Sequence, residues 1–167
     1  MDLPLHPKLV HLPLGLAVAM PFVTAALWLA WQRGWVGRRA WWLAVLLGAM
    51  QALGGLAAAQ SGHADEEVVE RVVDEAAIEE HEEAGTLFAW SGVGLFVVML
   101  LAGADRHERR ARLLAGLCVL GSLGVLGLGV LAGEAGGRLV YEQDAAKAHR
   151  LPPPPPGADH DDEEHEH

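Results

Sequence analysis

The chain has 167 residues, enough for about one domain, and 51% of them are hydrophobic. Its 22 acidic and 12 basic residues lie between long apolar runs and not within them, which is typical of an integral membrane protein. The net charge of −10 disfavours binding of nucleic acid, and the single cysteine, Cys118, excludes an intramolecular disulfide.

Four apolar segments are each long enough to cross a bilayer as a helix. A helix rises about 1.5 Å per residue and the hydrocarbon core is about 30 Å thick, so roughly 20 residues suffice. The segments do not alternate in period two, which excludes membrane-spanning strands. We predict an all-α integral membrane four-helix bundle in residues 1–145, with spans at about 9–32, 40–62, 84–104 and 113–133. The first apolar run is longer than the core of a signal peptide, so we expect it to be retained.

The arginines predict how the bundle is oriented. Seven of them lie in the loop between spans one and two or in the loop between spans three and four. All acidic residues except Asp105 and Glu108 lie on the opposite side. Under the positive-inside rule the arginine loops face the cytoplasm and both termini face outward. Five tryptophans at the arginine side suit a membrane interface: Trp28, Trp31, Trp35, Trp41 and Trp42.

Two polar segments lie outside the predicted spans. Residues 64–83 contain no glycine or proline and predict an acidic extramembrane helix between spans two and three, with a narrow apolar stripe at the mouth of the bundle. Residues 146–167 comprise a proline-rich linker and an acidic tail that we expect to be disordered. The tail histidines are candidates for a weak site for a divalent metal: His160, His165 and His167.

Three of the predicted spans have a histidine in or next to their outer end: His11, His63 and His81. Gly15 and Gly85 follow two of these histidines by four residues, one turn deeper on the same helix face, and Gly92 lies near that face of span three. A flat macrocycle needs helix surfaces without side chains, and haem iron commonly takes histidine as a ligand. The pattern therefore predicts haem b near the outer leaflet, with His11 and His81 as ligands and the three glycines lining the site.

Two other interpretations of these histidines stay open. A divalent metal such as Cu or Zn could bind His11 and His81, with His63 as a further ligand. Alternatively, the histidines make structural polar contacts in a cofactor-free structural or sensor subunit. The sequence has no P-loop, nucleophile elbow, HExxH or dinucleotide fingerprint, so we do not expect an enzyme by itself. For a cytochrome, the acidic outer face favours a basic periplasmic redox protein as the partner, and a homo-oligomer or larger membrane complex is also open.

Three short blocks of the sequence resemble those of a known family. The opening His6-Pro7-Lys8-Leu9-Val10-His11-Leu12-Pro13 resembles the HP-x-LVH-x-P start of the bacterial membrane family catalogued as domain of unknown function 2231. Glu80-His81-Glu82-Glu83-Ala84-Gly85 and Gly136-Gly137-Arg138-Leu139-Val140-Tyr141 resemble later blocks of it, and the resemblance covers about residues 3–145. It implies a four-helix protein of the bacterial inner membrane, with His11, His81 and Gly136-Gly137 in the shared pattern. It implies no activity.

Overall fold

The computed structural model describes residues 6–69 and 72–143. These residues form helices and no strand: α1 (His6–Leu9), α2 (His11–Gln32), a 3₁₀ turn (Arg38–Trp41), α3 (Trp42–Val69), α4 (Glu75–Ala104) and α5 (Glu108–Tyr141). Four helices are long and apolar enough to cross a membrane, namely α2, α3, α4 and α5. The prediction of an all-α four-helix membrane bundle is therefore confirmed.

The four long helices pack as a closed ring. Each contacts its neighbour in the chain, and α5 returns to pack against α2, while the short α1 lies against α3. Small residues make up much of the packed interior and are almost completely buried, as at Ala44, Ala102, Ala111 and Ala115. Lipid gives helices no hydrophobic reason to associate, so close approach of backbones at such small residues is what holds a membrane bundle together. Many leucines lie on the outside, where lipid covers them.

The loops α2–α3 and α4–α5 form one end of the bundle, here called the arginine end. The indole of Trp31 lies 6.3 Å from that of Trp41 between ring centroids. Trp31 Nε1 donates to Glu108 Oε1 at 2.8 Å, and Trp41 Nε1 donates to the carbonyl of Met99 at 3.0 Å. Both indoles are buried, so two of the five tryptophans predicted at this interface close the end of the core.

The opposite end, here called the histidine end, comprises α1, the last turns of α3, the first turns of α4 and the last turns of α5. Its acidic segment differs from the single helix over residues 64–83 that the sequence predicts, because α3 continues to Val69 and α4 begins only at Glu75. Asp74 is extended (φ −64°, ψ 129°), and its carbonyl accepts bonds from the N–H groups of Ala77 and Ile78. The chain must reverse here because α3 and α4 are antiparallel.

Part of the apolar stripe predicted for this segment packs at the mouth of the bundle, although Ala76, which the stripe includes, is exposed. Val73 and Ile78 are buried against Leu139 near the end of α5, and Val72 and Ala77 pack beside them. The N–H of Asp74 also donates to the side-chain oxygen of Gln143 at 3.0 Å. These contacts fix the first turns of α4, and with them the position of His81.

Candidate histidine site

The rings of His6 and His81 meet at the histidine end. Their centroids are 6.0 Å apart and their planes are nearly perpendicular, at 83°. His6 is the first residue of α1, and His81 lies in the second turn of α4. The fold therefore brings together two imidazoles that are 75 residues apart in the sequence.

His6 is oriented by the end of α3. Its Nδ1 lies 2.9 Å from the carbonyl oxygen of Ala58 and 3.1 Å from Ser61 Oγ. A carbonyl oxygen only accepts hydrogen bonds, so Nδ1 must carry the proton and donate. A Cβ built on Gly62 would lie 3.4 Å from Cε1 of the same ring, so a glycine at this position leaves the ring room.

His81 is oriented by α5 in the same way. Its Nδ1 lies 3.2 Å from the carbonyl oxygen of Ala132 and therefore also donates. Its ring lies directly on the backbone of Gly136, where an added Cβ would be only 2.8 Å from Cε1. In its neutral form each imidazole thus has its proton on Nδ1 and a lone pair on Nε2, as in histidines that bind a metal through Nε2 while Nδ1–H bonds to a backbone carbonyl.

Charged residues surround the pair. Glu80, beside His81 in the chain, accepts a hydrogen bond from Arg138 of α5. Glu79 and Glu83 are exposed on the outer side of the same helix. The histidine end therefore carries a mainly acidic surface, and the guanidinium of Arg138 is bonded to one of its carboxylates, that of Glu80.

His11 does not join the pair, although the sequence predicts it as the partner of His81. Its side chain is exposed, and the neighbouring Leu12 and Gly15 are exposed as well. Helical residues turn by about 100° each, so His6 and His11, five positions apart, point roughly 140° apart and cannot both face the bundle. His6 takes the inward direction and His11 the outward one. Ligation by either residue remains a prediction.

The other predicted site residues lie in different surroundings. A Cβ at Gly85, one turn below His81, would meet nothing within 4 Å, so there is open space beside it. Gly92 is buried, and its built Cβ would be 4.0 Å from the α-carbon of Ala52, which places it between α4 and α3. The backbone of His63 lies in α3, but its side chain is outside the described part of the chain. The predicted tail ligands also lie outside the described residues: His160, His165 and His167.

One signal in the sequence points to His6. It precedes Pro13 by seven residues, close to two helical turns, and Pro13 begins the buried face of α2. That face continues through Ala17, Met20 and Thr24 at intervals of three or four residues. His6 therefore falls on the same side of the helical path as these buried residues, and His11 does not. This holds although α1 and α2 are separated at Val10.

The comparison with protein families identifies the chain. The family described as a predicted membrane protein, DUF2231, has a model that matches residues 2–148. The chain belongs to this family. No curated protein and no solved structure matches it.

The matched region of this DUF2231 protein holds the complete histidine pair. It includes the two rings, His6 and His81, and the two glycines that lie against them, Gly62 and Gly136. The resemblance to this family that the sequence shows is thereby confirmed. Within the described residues, no group of three or more His, Cys, Asp or Glu side chains is placed to hold a metal ion.

Proposed function

We propose that this DUF2231 protein is a membrane-bound electron-transfer protein that binds haem b through His6 and His81. The observation that supports the proposal is the matched hydrogen bonding of the two rings. In both, Nδ1 lies within hydrogen-bond distance of a backbone carbonyl, which leaves the lone pair on Nε2 available for a metal. The proposal keeps His81 from the sequence prediction and replaces His11 with His6, the residue whose ring adjoins that of His81.

The number of donors favours haem over a bare ion. A porphyrin supplies four nitrogens of its own, so the protein needs to provide only the axial ligands, commonly histidines. Structural zinc takes four protein ligands and catalytic zinc three. The described residues bring two imidazoles together and no third ligand of the His, Cys, Asp or Glu type.

The two rings are close enough to be considered as ligands of one metal, since their centroids are 6.0 Å apart. The open space at Gly85 is on the same side of α4 as His81 and one turn deeper, where a flat macrocycle needs a surface without side chains.

Haem with two histidine ligands carries single electrons, and its potential depends on its axial ligands, its burial and the hydrogen bonds of those ligands. In this chain the carbonyls of Ala58 and Ala132 would set the basicity of the two rings. Under the positive-inside rule the histidine end faces the periplasm. Its acidic surface, including Glu79 and Glu83, would attract a basic soluble redox protein and raise the rate of encounter.

A divalent metal is the second candidate, and the position of His63 favours it. His63 directly follows Gly62, whose backbone adjoins the ring of His6. Cu or Zn would then bind the pair, and His63 stays the further ligand that the sequence predicts, with its side chain outside the described residues.

The test is an absorption spectrum of the full-length protein, purified in detergent from cells with ample haem and recorded before and after reduction with dithionite. We expect sharp bands of a low-spin b-type cytochrome and one haem per chain. A featureless spectrum together with one equivalent of Cu or Zn by elemental analysis would replace the first proposal with the second. A featureless spectrum without bound metal would contradict both and leave a structural or sensor subunit.

A further inference from the structure

Gln51 is the polar residue whose burial is hardest to explain. Its side chain is 3% exposed in the middle of α3, and neither the amide oxygen nor the amide nitrogen has a hydrogen-bond partner among the described residues. An amide has two donor hydrogens and an acceptor oxygen with two lone pairs, and leaving such a group unpaired in an apolar interior costs a few kcal/mol, on the order of 1–3. Gln51 therefore needs a partner that protein atoms do not supply.

The side chain points into the centre of the bundle. On α3, Gly54 adjoins α2, since its built Cβ would be 3.3 Å from Pro13. Gly55 adjoins α4, since its built Cβ would be 3.3 Å from the α-carbon of Ala89. At about 100° per residue, Gln51 falls between these two directions. It thus faces the axis of the bundle and not the lipid.

A second polar group lies at the same depth. Pro21, inside α2, has no N–H, so the carbonyl of Ala17 loses its usual partner four residues later. Gly54 of α3 and Pro13 of α2 lie at the same depth in the bundle. Because the two helices are antiparallel, Ala17, one turn after Pro13, lies at about the same depth as Gln51, which precedes Gly54 by about one turn. Ala17 is 1% exposed, which places it on the inner face of α2.

We infer that Gln51 holds one or more internal water molecules, which join its amide to the carbonyl of Ala17 at mid-depth in the bundle. Buried waters typically make about three hydrogen bonds to groups that lack other partners, and such a site must be polar and roomy. The side chains that face this level are small, at Ala17, Ala52 and Gly92, and a Cβ added at Gly92 would come no closer than 4.0 Å to the neighbouring helices.

The water site does not depend on haem. It gives the membrane interior a hydrated polar centre about two turns below Ala58, whose carbonyl orients His6. Polar groups that face the inside of a membrane bundle are costly to keep and commonly mark paths for ions or protons. A water at Gln51 is the kind of group through which protons could approach the histidine end.

Methionines near this level make the inference testable by radiolytic labelling. A short X-ray pulse splits water into hydroxyl radicals, and a radical formed beside a methionine oxidises it to the sulfoxide, which mass spectrometry detects. Met20 is 1% exposed and lies between Ala17 and Pro21, on the inner face. Met50, next to Gln51, is 40% exposed but faces outward, where detergent or lipid covers it. It is the matched control.

We expect faster oxidation of Met20 than of Met50 in the wild-type protein, although Met20 is the more buried. In Gln51→Leu, oxidation of Met20 should fall to the rate of Met50. Equal, slow oxidation of both methionines in the wild type would overturn the inference, even if the variant does not fold. Undiminished oxidation of Met20 in a folded Gln51→Leu protein would also overturn the inference. The folded state of the variant is checked at Met50, since its oxidation rate would increase on unfolding.

Discussion

The ring of His81 lies on the backbone of Gly136, and a methyl group there would come within 2.8 Å of Cε1. The contact joins α4 to α5 at the level where the imidazole also bonds to the carbonyl of Ala132. Real Cβ atoms do not approach other heavy atoms this closely, so any larger residue at position 136 must displace the ring. The orientation of His81, and with it the pair with His6, therefore depends on the absence of a side chain at Gly136.

We predict that Gly136→Ala lowers the free energy of unfolding by about 1–3 kcal/mol, the usual cost of overpacking, and weakens haem retention. The matched control is Gly137→Ala, because a Cβ at Gly137 would meet nothing within 4 Å. Alanine is favoured over glycine in a helix, so the control should be neutral or stabilised by about 0.5–1 kcal/mol. Thermal unfolding in detergent measures both. Equal behaviour of the two variants would contradict the contact.

At the arginine end, Trp41→Phe should destabilise the protein by about 1–3 kcal/mol, because it removes the buried bond that Nε1 donates to the carbonyl of Met99 and opens a gap. Trp42→Phe is the control, since Trp42 is 46% exposed. It should change stability by less than about 0.5 kcal/mol. Denaturant titration in mixed micelles, followed by circular dichroism, gives both values. A larger loss of stability in Trp42→Phe than in Trp41→Phe would contradict this account, because the exposed indole would then contribute more than the buried hydrogen bond.

Thr24→Val tests the hydroxyl contact between α2 and α5. Thr24 Oγ1 lies 3.2 Å from Ser122 Oγ and 2.7 Å from the carbonyl oxygen of Met20, so its single hydroxyl hydrogen is shared between these two acceptors. Ser122 keeps its own bond to the carbonyl of Val119, at 2.8 Å, after the substitution. We therefore expect a loss of only about 0.6 kcal/mol, the average for hydrogen bonds between membrane helices. A loss above about 2 kcal/mol would show that the contact belongs to a larger polar network.

The orientation can be tested with single cysteines in a Cys118→Ala background. Glu79 at the histidine end and Gln32 at the arginine end are both exposed, so each can be replaced by cysteine and labelled. With a membrane-impermeant maleimide on intact spheroplasts, Glu79→Cys should react at once and Gln32→Cys only after permeabilisation. The reverse order would contradict the positive-inside assignment.

The sequence predicts the helices of this protein better than it predicts the site. Long apolar runs bounded by charges suffice to locate the spans, because a helix that crosses lipid needs only length and low polarity. His81 can be singled out for a related reason, since it lies just before a predicted span. The partner of His81 is harder to predict, because His6 and His11 are close in sequence and lie on different faces of the helical path. Which of the two faces inward depends on how Pro13 and Ala17 pack against α3, and this packing cannot be read from the sequence of α2 alone.

The turn at Asp74 escaped prediction for a similar reason. Residues 64–83 lack glycine and proline, so local propensity favours an unbroken helix. The chain nevertheless reverses before Glu75, because α3 and α4 must run antiparallel and because Val73 and Ile78 are buried against Leu139. Tertiary packing overrides the local preference here.

The most direct test of the proposed haem site compares His6→Ala, His81→Ala and His11→Ala in the same purification and records the reduced spectrum of each. His6→Ala and His81→Ala should lose the low-spin b-type bands and recover them when imidazole is added, because free imidazole can occupy the vacated ligand position. His11→Ala should keep the wild-type spectrum, since its side chain is exposed away from the pair. Loss of the bands in His11→Ala with their retention in His6→Ala would contradict the assignment and restore His11 as the ligand.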